Sequence, residues 1–226
     1  MTKQVIVTGA RGLIGKHVSD RLRESGYGVL ELDIAMGHDL AKEAFVREWF
    51  AAHPAAALVN LFALNDHVDP ARASNRLMDI SLDSFDRFLN LNLTALFSVC
   101  REFARNNPEG SIVNFTSTYG LVSPRRELYG DDEKHIAYGV SKAGVIQLSR
   151  HLAVHLAPGV RVNCVAPGGV KHRQSEEFQA LYGRHAPMGR MMDVDELFGI
   201  VEFLVSEKSS YCTGGVYAVD GGWTAW

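Results

Sequence analysis

The chain has 226 residues, 46% hydrophobic and 22% charged, enough for a full core, which excludes disordered, collagen-like and disulfide-scaffold classes. A net charge of −3 leaves no basic field to hold nucleic acid or an anionic membrane. At roughly 150 residues per domain, the length suits one domain over 1–226.

Taken in chain order, a strand is predicted at Gln4–Thr8, a helix near 13–25, a strand at Gly28–Asp33 and a helix near 41–52. A strand follows at Ala57–Leu61; the apolar run around it, Ala55–Leu64, carries Asn60 and is half a membrane span. A long helix near 84–106 leads to a strand at Ser111–Thr116, a second long helix near 138–157 and a strand at Arg161–Val165. A helix near 193–205 and a strand at Val216–Val219 close the pattern. Such alternation predicts a parallel sheet covered on both faces. Gly120–Ile136 and Val170–Met192 read as irregular stretches, longer than the usual connection of ~4–6 residues. Both follow strands, and ligands of open α/β sheets sit beyond the carboxyl ends of strands, so both should border the site. Cys100, Cys164 and Cys212 form no CxxC pair and read as small buried residues of a reducing compartment. Met1–Gly9 has no signal-peptide character, so a cytoplasmic location is expected.

The first strand runs into Thr8-Gly9-Ala10-Arg11-Gly12-Leu13-Ile14-Gly15 and then a helix. Glycines there allow a tight turn and close backbone approach to a pyrophosphate, whose charge the helix N-terminus favours. Such a turn alone is a weak signal. Its context adds weight, because Asp33 ends the next strand where a carboxylate accepts hydrogen bonds from ribose hydroxyls. Ile34, Ala35 and Met36 after it hold no 2′-phosphate, so NAD(H) is preferred over NADP(H), with Arg11 the one basic residue nearby.

Tyr138 and Lys142 lie four apart at the start of a helix, hence on one face. A nearby ammonium would pull the phenol below its usual ~10 and let it exchange a proton with a carbonyl or alcohol. Such a spacing alone is more often a surface pair. Here Ser117 ends a strand, and Asn92 interrupts an apolar helix face, where a buried amide needs partners.

These residues, with Pro167-Gly168 and Val219-Asp220-Gly221-Gly222, stand in the order of a short-chain dehydrogenase/reductase, which the chain resembles over nearly its whole length. The resemblance implies a Rossmann-type, doubly wound α/β fold and hydride transfer to or from a nicotinamide. It implies a catalytic set of Asn92, Ser117, Tyr138 and Lys142. Tyr138 would be the acid/base and Lys142 would lower its pKa and hold the nicotinamide ribose. Ser117 would bond the substrate oxygen, and Asn92 would support a relay water. Cofactor contacts are expected at Gly9, Arg11, Gly12, Leu13, Ile14, Gly15, Asp33, Asp39, Leu40, Asn60, Ala63, Tyr138, Lys142, Pro167, Gly168, Gly169 and Val170.

The departures are specific. The glycine turn matches the sugar-nucleotide branch of the family more than the single-domain branch, and only Asn60 and Ala63 match that branch's next turn. Ile34–Leu40 is too short for the usual helix–strand pair, so the sheet should keep six main strands and lose one at its edge. His172 stands where the family commonly has threonine. Leu121–His135 lengthens the Ser117–Tyr138 spacing; the run Thr116–Pro124, then Tyr129-Gly130 and Tyr138 with Lys142, resembles oxidoreductases of bacterial surface-glycan pathways, including flagellin-glycosylation sugar clusters. The first sixty residues are similar to dTDP-4-dehydrorhamnose reductases. Both likenesses point to a small-molecule sugar substrate, with Thr118, Tyr119, Arg125 and Arg173 as candidate contacts. The alternatives are a reductase of an acyl thioester or polyketide carbonyl, and a catalytically silent NAD(H) sensor.

Several features are set aside. His151 and His155 have metal-pair spacing but no third ligand, so no metal site is predicted. Asp131–Lys134 reads as a solvated loop tip, Arg190 as structural, and Trp223 and Trp226 as packing at a subunit contact. The family resemblance implies a homodimer or homotetramer through helices 84–106 and 138–157.

Overall fold

The computed structural model describes residues 2–65, 75–130 and 132–226. Strands β1 (Gln4–Thr8), β2 (Gly28–Leu32), β3 (Ala57–Asn60), β4 (Gly110–Phe115), β5 (Val160–Pro167) and β6 (Val216–Val219) form one parallel sheet in the order β2-β1-β3-β4-β5-β6. The helices are α1 (Leu13–Glu24), α2 (Glu43–Ala52), α3 (Leu82–Leu89), α4 (Leu96–Asn106), α5 (Ile136–Leu156), α6 (Glu176–His185) and α7 (Phe198–Val205).

Alternation along the strands builds two cores, because successive side chains leave a strand on opposite faces. Ile6, Leu58, Ile112 and Val162 face one side, packed against Phe50 of α2, Val99 and Phe103 of α4 and Val145 of α5. Val5, Val7, Val59, Val113 and Val165 face the other, against Val18 and Leu22 of α1 and Val201 and Leu204 of α7. The chain departs in opposite directions on either side of β1 and β3, and the crevice beyond their carboxyl ends is where such sheets bind ligands. β2 is a terminal strand: Ile34–Met36 makes one 3-10 turn and the chain passes to α2, which is the expected loss of an edge strand.

Three element predictions need correction. The helix expected over 84–106 is interrupted, with a π turn at Asn90–Ala95 between α3 and α4. Within that turn lies Asn92, whose amide points inward and bonds the backbone of Leu64. The stretch Val170–Met192 is not irregular throughout, since it contains α6, capped by Ser175 Oγ accepting from Phe178 N at 3.2 Å. The last helix opens as a 3-10 turn at Val194–Leu197 under an Asp193–Glu196 capping box. Among the described residues, no helix is long and apolar enough to cross a membrane.

Candidate active site

The β1–α1 turn is shaped by three glycines with different tasks. Gly9 has φ +67°, and a Cβ there would come within 2.5 Å of Phe62 N, so both conformation and space demand glycine. A Cβ at Gly15 would run into the Gly9 carbonyl, which is how α1 packs onto the turn. Gly12 is the N-cap of α1 and makes no side-chain cap, so the first N–H groups of the helix have no partner from that residue. Leu13 and Ile14 open this helix.

Asp33 follows β2 and is nearly buried; its Oδ2 accepts from Arg11 N at 2.8 Å and its Oδ1 from Ala35 N at 2.8 Å. Each oxygen retains capacity for a further donor such as a ribose hydroxyl. A helix N-terminus open to an anion, beside a fixed carboxylate at the adjacent strand end, fits a dinucleotide. Asp39 accepts from Ala41 N at 3.1 Å, Leu40 is buried in the core beside α2, and Ala63 is half-buried past β3. Asn60 is spent inside the sheet, accepting from Thr8 Oγ1 at 3.0 Å and donating to Asn114 Oδ1 at 2.8 Å. Its side chain ties β1, β3 and β4, so a cofactor contact at this position falls to the backbone.

Ser117, Tyr138 and Lys142 meet beyond β4. Thr116 Oγ1 donates to Lys142 O at 2.6 Å, and Gly120 lies so close to Thr116 and Lys142 that a Cβ would clash with both. This close packing seats α5, and Tyr138 on it, against the turn that Ser117 opens. Lys142 Nζ donates to Phe115 O at 2.9 Å and lies 5.9 Å from the centre of the Tyr138 ring. Asn92 is buried; it accepts from Leu64 N at 2.7 Å and donates to Leu64 O and Ser141 Oγ, each at 3.0 Å.

The expected ionisation of Tyr138 is corrected. Burial raises its pKa above the usual 10, opposed only by the Ser117 hydroxyl. The physical reason is that Lys142 directs its ammonium to a backbone carbonyl, and burial brings the lysine itself down to about 8. Burial thus disfavours the phenolate form of Tyr138.

The Leu121–His135 insertion docks on α6. Leu128, Tyr182, Ala186, Met191 and Trp223 form one buried cluster, joined by Tyr129 and Phe178. Tyr129 Oη donates to Tyr119 Oη at 2.8 Å, and burial raises Tyr119 to about 12. Gly169 N donates to Tyr182 Oη at 2.6 Å, while Tyr182 stacks on Trp223 at 4.4 Å. Trp223 therefore packs within the chain rather than at a subunit contact; Trp226 is exposed. Arg125 lies over the Trp223 ring at 5.8 Å, and His172 and Arg173 are exposed. Thr118 is buried beside Ser117. Val170 bridges to Met192.

The acidic loop is also corrected. Asp131 lies outside the described residues, but Asp132 accepts from Asn75 N and Glu133 from Leu77 N, each at 3.1 Å. Lys134 bonds Asn65 Oδ1 and sits 4.6 Å from the Tyr138 ring centre, nearer than Lys142. Sequence reasoning missed this second ammonium, for which the only signal was its place four residues before Tyr138. Arg190 is structural as expected, with both terminal nitrogens 2.7 Å from Glu196 oxygens. Cys100 and Cys164 are buried and pushed up to about 12 and about 11, whereas Cys212 is only half-buried. A cavity of about 360 Å³ lies behind the Pro167-Gly168 turn, lined by Gly168, Gly169, Tyr182, Arg190, Glu196 and Asp220 among others. Asn92, Ser117, Tyr138 and Lys142 are not among the residues lining it.

Sheet order, glycine turn and the Ser117–Tyr138–Lys142 cluster together define a dinucleotide-type oxidoreductase architecture. The chain belongs to the short-chain dehydrogenase/reductase family and is an oxidoreductase of that family. A family model described as enoyl-(acyl carrier protein) reductase matches residues 4–224. An uncharacterized short-chain type dehydrogenase/reductase, y4vI of Sinorhizobium fredii, is 32% identical over 97% of this chain and 43% of its own. The chain thus spans less than half the length of that relative. A 2-keto-3-deoxy-L-fuconate dehydrogenase of Xanthomonas campestris is 28% identical over 98% of this chain and 80% of its own. The post-translational flagellin modification protein A of Campylobacter coli is 30% identical over 64% of this chain and 59% of its own. Among solved structures, a short chain dehydrogenase from Leptospira borgpetersenii with bound NAD+ superposes with a TM-score of 0.89. It is 27% identical, and the match covers 99% of this chain and 93% of that one.

Proposed function

We propose that the protein interconverts a secondary alcohol and a ketone on a sugar derivative, using NAD(H). The observation that carries the chemistry is a buried Tyr138 grouped with Lys142 and Ser117 beyond β4, in a setting that disfavours its phenolate form. Gly9, Gly12 and the α1 N-terminus would hold the pyrophosphate, Asp33 the adenosine ribose, and Lys142 the nicotinamide ribose. The nicotinamide, when bound, supplies or accepts the hydride. In the reducing direction, Ser117 Oγ holds the substrate oxygen and Tyr138 Oη donates its proton to it; oxidation reverses both. A phenol whose ionisation burial disfavours suits the role of acid in that direction. Asn92 acts through Leu64 and Ser141, as a positioning residue for the helix that carries Tyr138.

The sugar reading draws on the relatives named for a keto-deoxy sugar acid and for flagellin modification. Arg125 and Arg173, on the two stretches expected to border the site, would suit a carboxylate or phosphate on that sugar. A second reading, reduction of an acyl thioester, is favoured by the description of the matching family model. Exposed Phe97, Val140 and Val154 on α4 and α5 support a homodimer or homotetramer through those helices, which light scattering of the purified protein would check.

The test is a panel of neutral sugars, sugar acids, sugar phosphates and acyl thioesters assayed with NAD(H). Turnover of a charged sugar, lost by at least ~10²-fold in Tyr138→Phe while NADH binding persists, is the expected result. Preference for an acyl thioester would promote the second reading, and near-normal turnover in Tyr138→Phe would remove Tyr138 from its role.

A further inference from the structure

We propose that Glu31 is a latch that keeps the Arg11 guanidinium away from the adenosine 2′ position, sharpening discrimination against NADP(H). The inference rests on the dinucleotide reading of the glycine turn and adds a specificity-determining residue to it.

Arg11 is the basic residue of the glycine turn, beside the end of β2 where an adenosine ribose would sit. Its backbone N–H donates to Asp33 Oδ2 at 2.8 Å, so its side chain leaves the turn beside the carboxylate assigned to the ribose. A guanidinium binds phosphate bidentately, and this one is half exposed. Left unrestrained, it would offset the repulsion between Asp33 and a 2′-phosphate.

It is restrained. Arg11 Nη2 lies 2.9 Å from Glu31 Oε2, and its Nε lies 3.4 Å from Met36 Sδ. Glu31 cannot follow if Arg11 swings, because its other oxygen is 2.5 Å from Arg23 Nη2 on α1. Arg23 is itself tied to Asp20 at 3.2 Å. The Glu31 side chain is only 11% exposed, so losing either arginine would leave a largely desolvated charge underpaired. The cause lies in the fold. Glu31 pairs in register with Val7, on the outermost strand, where a glutamate can stand among α1 side chains and still reach the rim of the sheet.

A purely structural ion pair would fasten α1 to β2 without touching cofactor choice, and the two roles separate by experiment. NADH and NADPH are titrated by calorimetry at fixed ionic strength into the unaltered protein, Glu31→Gln, and Glu31→Gln combined with Arg11→Ala. The latch requires NADPH affinity relative to NADH to rise about three- to tenfold in Glu31→Gln, the scale of one partly exposed arginine–phosphate contact. That gain must disappear in the double variant. An unchanged ratio in Glu31→Gln, or a gain that survives removal of Arg11, overturns the latch; the second result would assign the effect to loss of the Glu31 charge alone. Should Glu31→Gln fail to fold, Glu31→Asp, one methylene shorter and so drawn back from Arg11, takes its place in both titrations: a relative gain in NADPH affinity that disappears with Arg11→Ala supports the latch, and no gain overturns it. If the unaltered protein binds neither dinucleotide, the cofactor reading itself falls and the latch with it.

Discussion

Replacing Asn92 with leucine should destabilise the protein out of proportion to the change in volume. The side chain keeps its approximate size, so the cavity cost is small. What is lost is the amide, which accepts from Leu64 N at 2.7 Å and donates to Leu64 O and Ser141 Oγ at 3.0 Å. Ser141 retains its own acceptor, Tyr138 O at 2.8 Å, so it loses little. Leu64 loses both partners. An unsatisfied buried donor or acceptor costs about 1–3 kcal/mol, and because Leu64 is only half-buried, water repairs part of the loss, leaving about 2–4 kcal/mol in total. For a chain of this length that corresponds to a fall in Tm of about 5–15 °C by scanning calorimetry. A loss below about 1 kcal/mol would refute the reasoning, since it would mean that the Asn92 bonds do not hold Leu64 in place.

The buried lysine makes a pH prediction. Lys142 sits at about 8 in the folded chain against 10.5 for an ordinary lysine, so between those values the unfolded chain binds the extra proton and stability rises with pH. The contribution is up to about 3 kcal/mol. Ionisation of Tyr138 in the unfolded chain opposes it above pH ~10, so urea unfolding should be compared between pH 7.5 and 10. The protein should gain stability over that range relative to Lys142→Met, and a constant difference between the two would contradict this origin of the shift. A 2′-phosphate near Asp33 meets a like charge worth about 1–4 kcal/mol at ~4 Å. NADH should therefore bind roughly five- to several-hundred-fold more tightly than NADPH. Asp33→Ala should narrow the gap, and equal affinities in the unaltered chain would remove Asp33 from that role.

How much of this could be read beforehand differs from element to element. The six strands were legible because each carries its own β-branched or apolar run, and the lost edge strand followed from the few residues between Asp33 and α2. The approach of Ser117, Tyr138 and Lys142 was legible only through the family resemblance, because the tyrosine–lysine spacing by itself is more often a surface pair. The π turn was not. Phe88, Asn92, Leu96, Val99 and Phe103 are buried at three- and four-residue spacings that an unbroken α-helix would also produce. α6 was missed because its apolar content is low, although Ser175, two leading glutamates and Arg184-His185 at its end are the marks of a capped helix. The ionisation of Tyr138 was misread because helical spacing places two side chains on one face without saying where a flexible ammonium ends; it ends at Phe115 O. Glu31 and Lys134 were unreadable for the same reason.

The π turn also implies something about how this segment tolerates change. Its six residues hold one more than the surrounding helical hydrogen-bond pattern requires, so deleting a single residue within Asn90–Ala95 would restore an unbroken helix from Leu82 to Asn106. The repair would be misplaced. One residue of an α-helix is a rotation of about 100°, enough to carry Phe88 off its contacts with Ala137 and Tyr138 or to take the Asn92 amide away from Leu64. The irregular turn is what lets the Phe88 contact with Tyr138 and the Asn92 bonds to Leu64 hold at once.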